Sequence, residues 1–240
     1  MIAGIFHEGS GLGNQLHRYV MTRCLALDKQ YEFGMINPEN FKGKHFMDLD
    51  MGKPVNGLKN SFLEHKTEHL GWDVRDMDMG IYEVKDNTGI DGEFQDERYF
   101  QTHLHDIRQW LWTEPVEFDK DACVINFRGG EYVGVESLFL PQTYWDEAIR
   151  QMGDKKYEVH TDDPETAEKF FPDFPIISNM ELNWRSIRYA PNLILSNSSF
   201  AILPALMGNA EKIIAPTFWA GYNKGFWQLK QNHYARFTYI

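Results

Sequence analysis

The chain has 240 residues, 42% hydrophobic, 15% aromatic and 25% charged, with 24 Lys+Arg against 35 Asp+Glu and a formal net charge of −11. With 17 Phe, 11 Tyr and 7 Trp to bury, it is not a disordered segment, and its length allows one large core or two small ones. The acid excess argues against a generic nucleic-acid binder, whose footprint is a basic face, yet a few well-placed cations can still hold a small anion.

Residues 2–6 form a short apolar run that reads as a first strand rather than a signal peptide. It ends in the turn Gly9-Ser10-Gly11-Leu12-Gly13. A helical pattern follows over residues 14–29, with Leu16, Tyr19, Val20, Cys24 and Leu27 near a 3.6-residue period. Residues 37–92 are irregular and rich in Gly, Asn, Asp and Lys, and are expected to be the variable part of a first domain. Residues 94–112 carry Tyr99, Phe100, Leu104, Ile107 and Leu111 at helical spacing and predict a helix. Pro115 marks a break.

From residue 121 onward strands and helices alternate. The pattern predicts strands at 122–127, 157–161, 176–177, 193–196 and 212–215, with helices at 141–152, 164–171 and 201–208. Short strands alternating with helices imply parallel sheets with ligands at the carboxyl edge. The expected architecture is α/β, with domains at 1–118 and 119–240 and a C-terminal tail after residue 221 returning across the first. No stretch reaches the ~20 apolar residues of a membrane helix. Cys24 and Cys123 form neither a disulfide framework nor a metal knuckle, so a reducing cytoplasm is the expected setting.

Five strings carry the chemistry. Gly11-Leu12-Gly13-Asn14-Gln15 lies between a strand and a helix, where glycine lets backbone amides approach a phosphate or sugar. The second string is Phe94-Gln95-Asp96-Glu97-Arg98-Tyr99-Phe100, which by composition alone is an amphipathic helix. Asn126-Phe127-Arg128-Gly129-Gly130-Glu131-Tyr132 follows an apolar strand, so Arg128 stands where its planar fork can take a diphosphate. Thr161-Asp162-Asp163-Pro164 offers one carboxylate to cap a helix and its neighbour to accept from the N1–H and amino group of guanine. Ser196-Asn197-Ser198-Ser199-Phe200 places hydroxyls and amides at a helix N-terminus, a ready anion site, while Phe200 packs on a base or enters the core.

In this order the five strings resemble the family 11 glycosyltransferases, which include the α-1,2-fucosyltransferases and share motifs with the α-1,6-fucosyltransferases. The resemblance implies a GT-B-like scaffold of two Rossmann-type domains facing a central cleft. It also implies metal-independent, inverting transfer of fucose from a GDP-sugar donor, GDP-fucose, to a glycan acceptor, with no cofactor. It assigns the leaving diphosphate to Arg128 and the donor to Gly11, Gly13, Asn14, Gln15, Asn126, Asp162, Asp163, Ser198, Ser199 and Phe200. The base falls on Glu136, ten positions past Asn126, or on its rival Glu131. Burial beside the apolar residues 138–140 is expected to raise the Glu136 pKa. The chain departs from the motif H-x-R-R-G-D-Y at Asn126, Gly129 and Glu131. Another nucleotide-sugar donor, or a non-catalytic nucleotide-sugar binder, is therefore the alternative. Asp48-Leu49-Asp50, His65 with His69, and His103 with His105 lack the context of a metal site and read as loop or surface residues.

Overall fold

Apolar strands separated by helices assemble into two parallel sheets in the computed structural model, which describes residues 1–69, 72–220 and 234–240. The α/β class is as expected. The chain divides into one unit at Met1–Trp112 and a second that begins at Thr113.

In the first unit, β1 (Ile2–Ile5) is followed by α1 (Leu12–Lys29), β2 (Phe33–Ile36), β3 (Asn60–Leu63), the hairpin strands β4 (Thr67–His69) and β5 (Trp72–Val74), β6 (Thr88–Asp91) and α2 (Leu104–Trp110). The order β2-β1-β6-β3 is parallel throughout, with Ile2 beside Phe33 and Thr88. Residues 37–92 are thus less irregular than expected, because β3 and β6 complete the sheet.

The expected helix over 94–112 is not formed as such. Phe94 takes a left-handed φ of 48°, and the buried Glu64 carboxylate accepts from the Glu93 and Phe94 amides at 2.7 and 3.1 Å. Asp96 accepts from the Arg98 amide at 2.9 Å. The left-handed turn at Phe94 leaves the helical path, and the Arg98 amide, which a helix would aim at the Phe94 carbonyl, is held by Asp96 instead. The segment becomes two short 3-10 turns, Glu97–Tyr99 and Gln101–His103, and then α2. Tyr99, Phe100, Ile107 and Leu111 are buried all the same.

His17 of α1 is wholly buried; its Nδ1 lies 2.9 Å from the Gly13 carbonyl oxygen, and its Nε2 has no hydrogen-bond partner among the described residues. Burial, partly opposed by the Gly13 bond, lowers its pKa to about 4 from 6.5. The unfolded chain therefore binds the proton first as pH falls. Stability is full above pH 6.5, declines between about 6.5 and 4, and is flat below that, with about 3 kcal/mol at stake. Urea midpoints should show the native chain losing about 2 kcal/mol from pH 7 to pH 5 through this group, a loss absent in His17→Phe.

The second unit runs β7 (Ala122–Phe127), α3 (Gln142–Met152), β8 (Lys156–Thr161), α4 (Pro164–Phe170), β9 (Ile176–Ile177), α5 (Met180–Tyr189), β10 (Asn192–Ile194), α6 (Ser199–Met207), β11 (Lys212–Ala215) and β12 (Thr238–Tyr239). The sheet order is β12-β11-β10-β7-β8-β9, all parallel. Counted from β7, this is 6-5-4-1-2-3, the doubly wound dinucleotide-binding order. Alternate residues of β7 divide its two faces. Cys123, Ile125 and Phe127 pack with Tyr144, Trp145, Ala148 and Met152 of α3 and with Ala167 and Phe171. On the other face lies α5, an element not expected from the sequence, packed on α6 and β7. Asn179 caps it, accepting from the Leu182 amide at 2.9 Å, and Trp184 and Ile187 are its inward residues. The expected return of the tail after residue 221 falls on 221–233, outside the described residues; the described end, β12, joins the second sheet beside β11.

Candidate functional site

In a doubly wound sheet the chain runs outward from its first strand in both directions, and the crevice where it reverses takes the ligand. Here that point lies between β7 and β10. The Ser196 hydroxyl donates to Asn126 Oδ1 at 2.8 Å and ties the carboxyl ends of the two strands together. Next to this tie is a cavity of about 260 Å3 lined by Asn126, Arg128, Thr161, Asp162, Ser198 and Phe200, with Ser178, Asn179, Met180 and Asn183 from the start of α5. Five residues chosen from the sequence thus line one cavity.

Arg128 is held from several sides. Its Nη1 is 2.5 Å from Asp162 and its Nη2 is 2.8 Å from Glu131. The guanidinium carbon lies 5.2 Å from the Tyr132 ring centroid, and Nε is buried without a hydrogen-bond partner among the described residues.

The two aspartates divide their work. Asp162 lines the cavity and accepts from the Gly129 amide at 3.1 Å. Asp163 faces away to cap α4, accepting from Thr166 N at 3.2 Å, and takes the Gly130 amide on its other oxygen at 3.2 Å. Burial on its own would raise Asp163, but the Thr166 and Gly130 hydrogen bonds outweigh it and hold the carboxyl below its ordinary range. The loops after β7 and β8 approach so closely that a Cβ on Gly129 would sit 2.5 Å from Asp163 Cβ. Gly130 adopts a φ of +44°, and a Cβ there would lie 2.6 Å from Asp162 Oδ2. Glycine at 129 is therefore a packing requirement of this site, in the place where the motif has its second arginine.

Ser198 caps α6, its Oγ accepting from Phe200 N at 3.3 Å, and Ser199 opens the helix. Phe200 is part-buried, with its ring edge-on to the buried Trp184 at 5.7 Å, so it both lines the cavity and packs inward. Asn183, which sequence reasoning missed, donates to the Thr161 carbonyl at 3.0 Å and faces His160 Nδ1 at 3.0 Å. The readable signal was Asn179, a capping residue two positions after an apolar strand.

One of the two glutamates sits differently from expectation. Glu136 is exposed rather than part-buried as expected. Glu131 is three-quarters exposed and paired with Arg128.

Gly11, Gly13, Asn14 and Gln15 belong to the first unit. Gly11 precedes α1 with open space around its Cα, whereas Gly13 is buried. Gln15 is fully buried and structural: its amide donates to the Asn40 carbonyl at 2.8 Å and its oxygen accepts from Lys42 N at 3.0 Å. Asn14 Oδ1 accepts from Gln95 at 3.1 Å, joining the first motif to the second.

Among the described residues, no group of three or more His, Cys, Asp or Glu is arranged to hold a metal ion. No helix among them is long and apolar enough to cross a membrane. Cys24 and Cys123 are both free and buried.

No family model matches the chain, and no curated protein matches it. Among solved structures, E. coli heptosyltransferase WaaC with ADP is similar over 100% of this chain and 93% of that chain, at 10% sequence identity and a TM-score of 0.49.

Proposed function

We propose that the protein is an inverting glycosyltransferase that moves fucose from GDP-fucose to a hydroxyl of a glycan acceptor. The observation that carries this reading is the convergence of Arg128, Asp162, Ser198 and Asn126 on one cavity at the switch point of the second sheet. As the glycosidic bond breaks, negative charge builds on the leaving diphosphate, and a fixed guanidinium fork stabilises that charge more than it stabilises the bound donor. Arg128 supplies the fork, and Ser198 supplies a hydroxyl at the start of α6. Asp162, the aspartate that lines the cavity, accepts from guanine, while Asp163 caps α4. Donor binding has to displace Asp162 and Glu131 from Arg128, and that competition supports two alternatives, a donor other than GDP-fucose and a binder without turnover.

Thermal unfolding with GDP, ADP and UDP tests the donor site. GDP at a hundredfold excess over its Kd should stabilise by about 2.7 kcal/mol. ADP and UDP should do markedly less. Absence of a shift with every nucleotide removes the reading. Asp162→Asn should cut the preference for GDP over ADP by about tenfold, because a base donor loses its carboxylate. An equal loss for both nucleotides would mean that Asp162 only orients Arg128.

A further inference from the structure

The start of α5 brings Asn179, Met180 and Asn183 to the cavity at the switch point, and none of the five strings contains them. The two asparagines are in opposite states. Asn183 is buried and spent: its Nδ2 donates to the Thr161 carbonyl at 3.0 Å, which turns Oδ1 to His160 Nδ1 at 3.0 Å. Asn179 is exposed, and both of its acceptors are taken by α5 itself. Its Oδ1 accepts from the Leu182 amide at 2.9 Å, and its main-chain carbonyl accepts from the Asn183 amide at 2.8 Å. Because a backbone N–H needs an oxygen to meet, the cap fixes which way the Asn179 side-chain amide is turned. Its Nδ2 has no hydrogen-bond partner among the described residues, so toward a ligand Asn179 is a donor and not an acceptor. Met180 beside it is 40% exposed and Phe200 is part-buried, two apolar side chains on the same cavity.

We propose that Asn179 selects the base of the donor nucleotide by donating to O6 of guanine, with Met180 and Phe200 against the faces of the ring; this rests on the donor site proposed above. Guanine presents an acceptor at the position where adenine presents an amino group. A donor fixed there gains a hydrogen bond from the first and faces a second donor in the other, which leaves both groups desolvated and unpaired. An asparagine with both ends of its amide free could offer either one and would not discriminate. Capping removes that freedom, so the hydrogen bond that starts α5 also makes Asn179 a reader of one base. With Asp162 accepting from N1–H and the 2-amino group, the two residues match the acceptor–donor–donor edge of guanine. Met180 and Phe200 make polarizable contacts that any base can use, so they add affinity and not selectivity.

Dissociation constants of the full chain for GDP, inosine diphosphate and ADP, measured by titration calorimetry, test the assignment. Asn179→Ser and Asn179→Asp both keep a capping oxygen, so their thermal melts should stay near the native one. Asn179→Ser removes the donor and should weaken GDP by about tenfold without weakening ADP. Inosine diphosphate keeps O6 and lacks the 2-amino group, so it should weaken by the same factor as GDP. Asn179→Asp puts an acceptor in place of the donor and should shift the preference from GDP toward ADP by roughly tenfold or more. Its added charge acts on the diphosphate of both ligands alike and cancels from that ratio. An unchanged ratio of GDP to ADP affinity in both variants, with GDP bound by the native chain, overturns the assignment and leaves the donor site standing. A native chain that binds none of the three nucleotides defeats the donor site, and the role of Asn179 with it.

Discussion

Arg128→Ala should lower turnover of GDP-fucose by roughly 10³-fold, the scale of removing a preorganised charge donor from a transition state. The fold should survive. Arg128 is 28% exposed, and Asp162, one-third exposed, keeps its hydrogen bond from the Gly129 amide once the guanidinium is gone. Its ion pairs with Asp162 and Glu131 are solvent-screened, so their loss costs about 1 kcal/mol or less. Arg128→Lys should fall between the two, since an ammonium keeps the charge but loses the planar fork that meets two phosphate oxygens. Initial rates of GDP release and thermal melts of both variants check this. An Arg128→Ala protein that melts normally and turns over at the native rate would show that the leaving group is stabilised elsewhere.

Restoring the motif's second arginine by Gly129→Arg should harm the protein. A Cβ at 129 falls 2.5 Å from Asp163 Cβ and 2.7 Å from Asp163 Oδ2. The first of these atoms is anchored to backbone, so the loops after β7 and β8 must separate. Overpacking of this kind costs about 1–3 kcal/mol. Separation also breaks the amide bonds from Gly129 to Asp162 and from Gly130 to Asp163 that shape the cavity. Gly129→Ala isolates the steric part and should lose most of the same stability without adding charge. Tighter GDP binding and an unchanged melt in Gly129→Arg would mean that the site lacks only a cation.

Most of the second unit was legible because its strands are continuous apolar runs. Ala122–Phe127, Ile176–Ile177 and Lys212–Ala215 match the expected strands residue for residue. The helix α5 was missed because Met180–Tyr189 is mostly polar outside Trp184 and Ile187, and the burial of these two against α6 and β7, with the Asn179 cap, is what holds it. In the first unit, β3 is an edge strand whose residues are largely exposed, so its sequence carries no strong alternation. Pairing with β6 makes it a strand, and that partner is distant in sequence. The helix over 94–112 failed for a related reason: the period is present, but Phe94 takes a left-handed φ where its amide meets Glu64, thirty residues away. At the site, Arg128, Asp162 and Ser198 were readable as residues just past strand ends. The Arg128–Asp162 pair and the packing role of Gly129 arise where two loops meet, and no local pattern encodes them.

The most direct test is a crystal structure of the native chain with GDP. The diphosphate should lie within hydrogen-bond reach of the Arg128 guanidinium and the Ser198 hydroxyl, with Arg128 released from Asp162 and the guanine edge on the Asp162 carboxylate. GDP bound away from the crevice between β7 and β10, or an Arg128–Asp162 pair left intact beside bound nucleotide, would contradict the assignment of this cavity to a GDP-sugar.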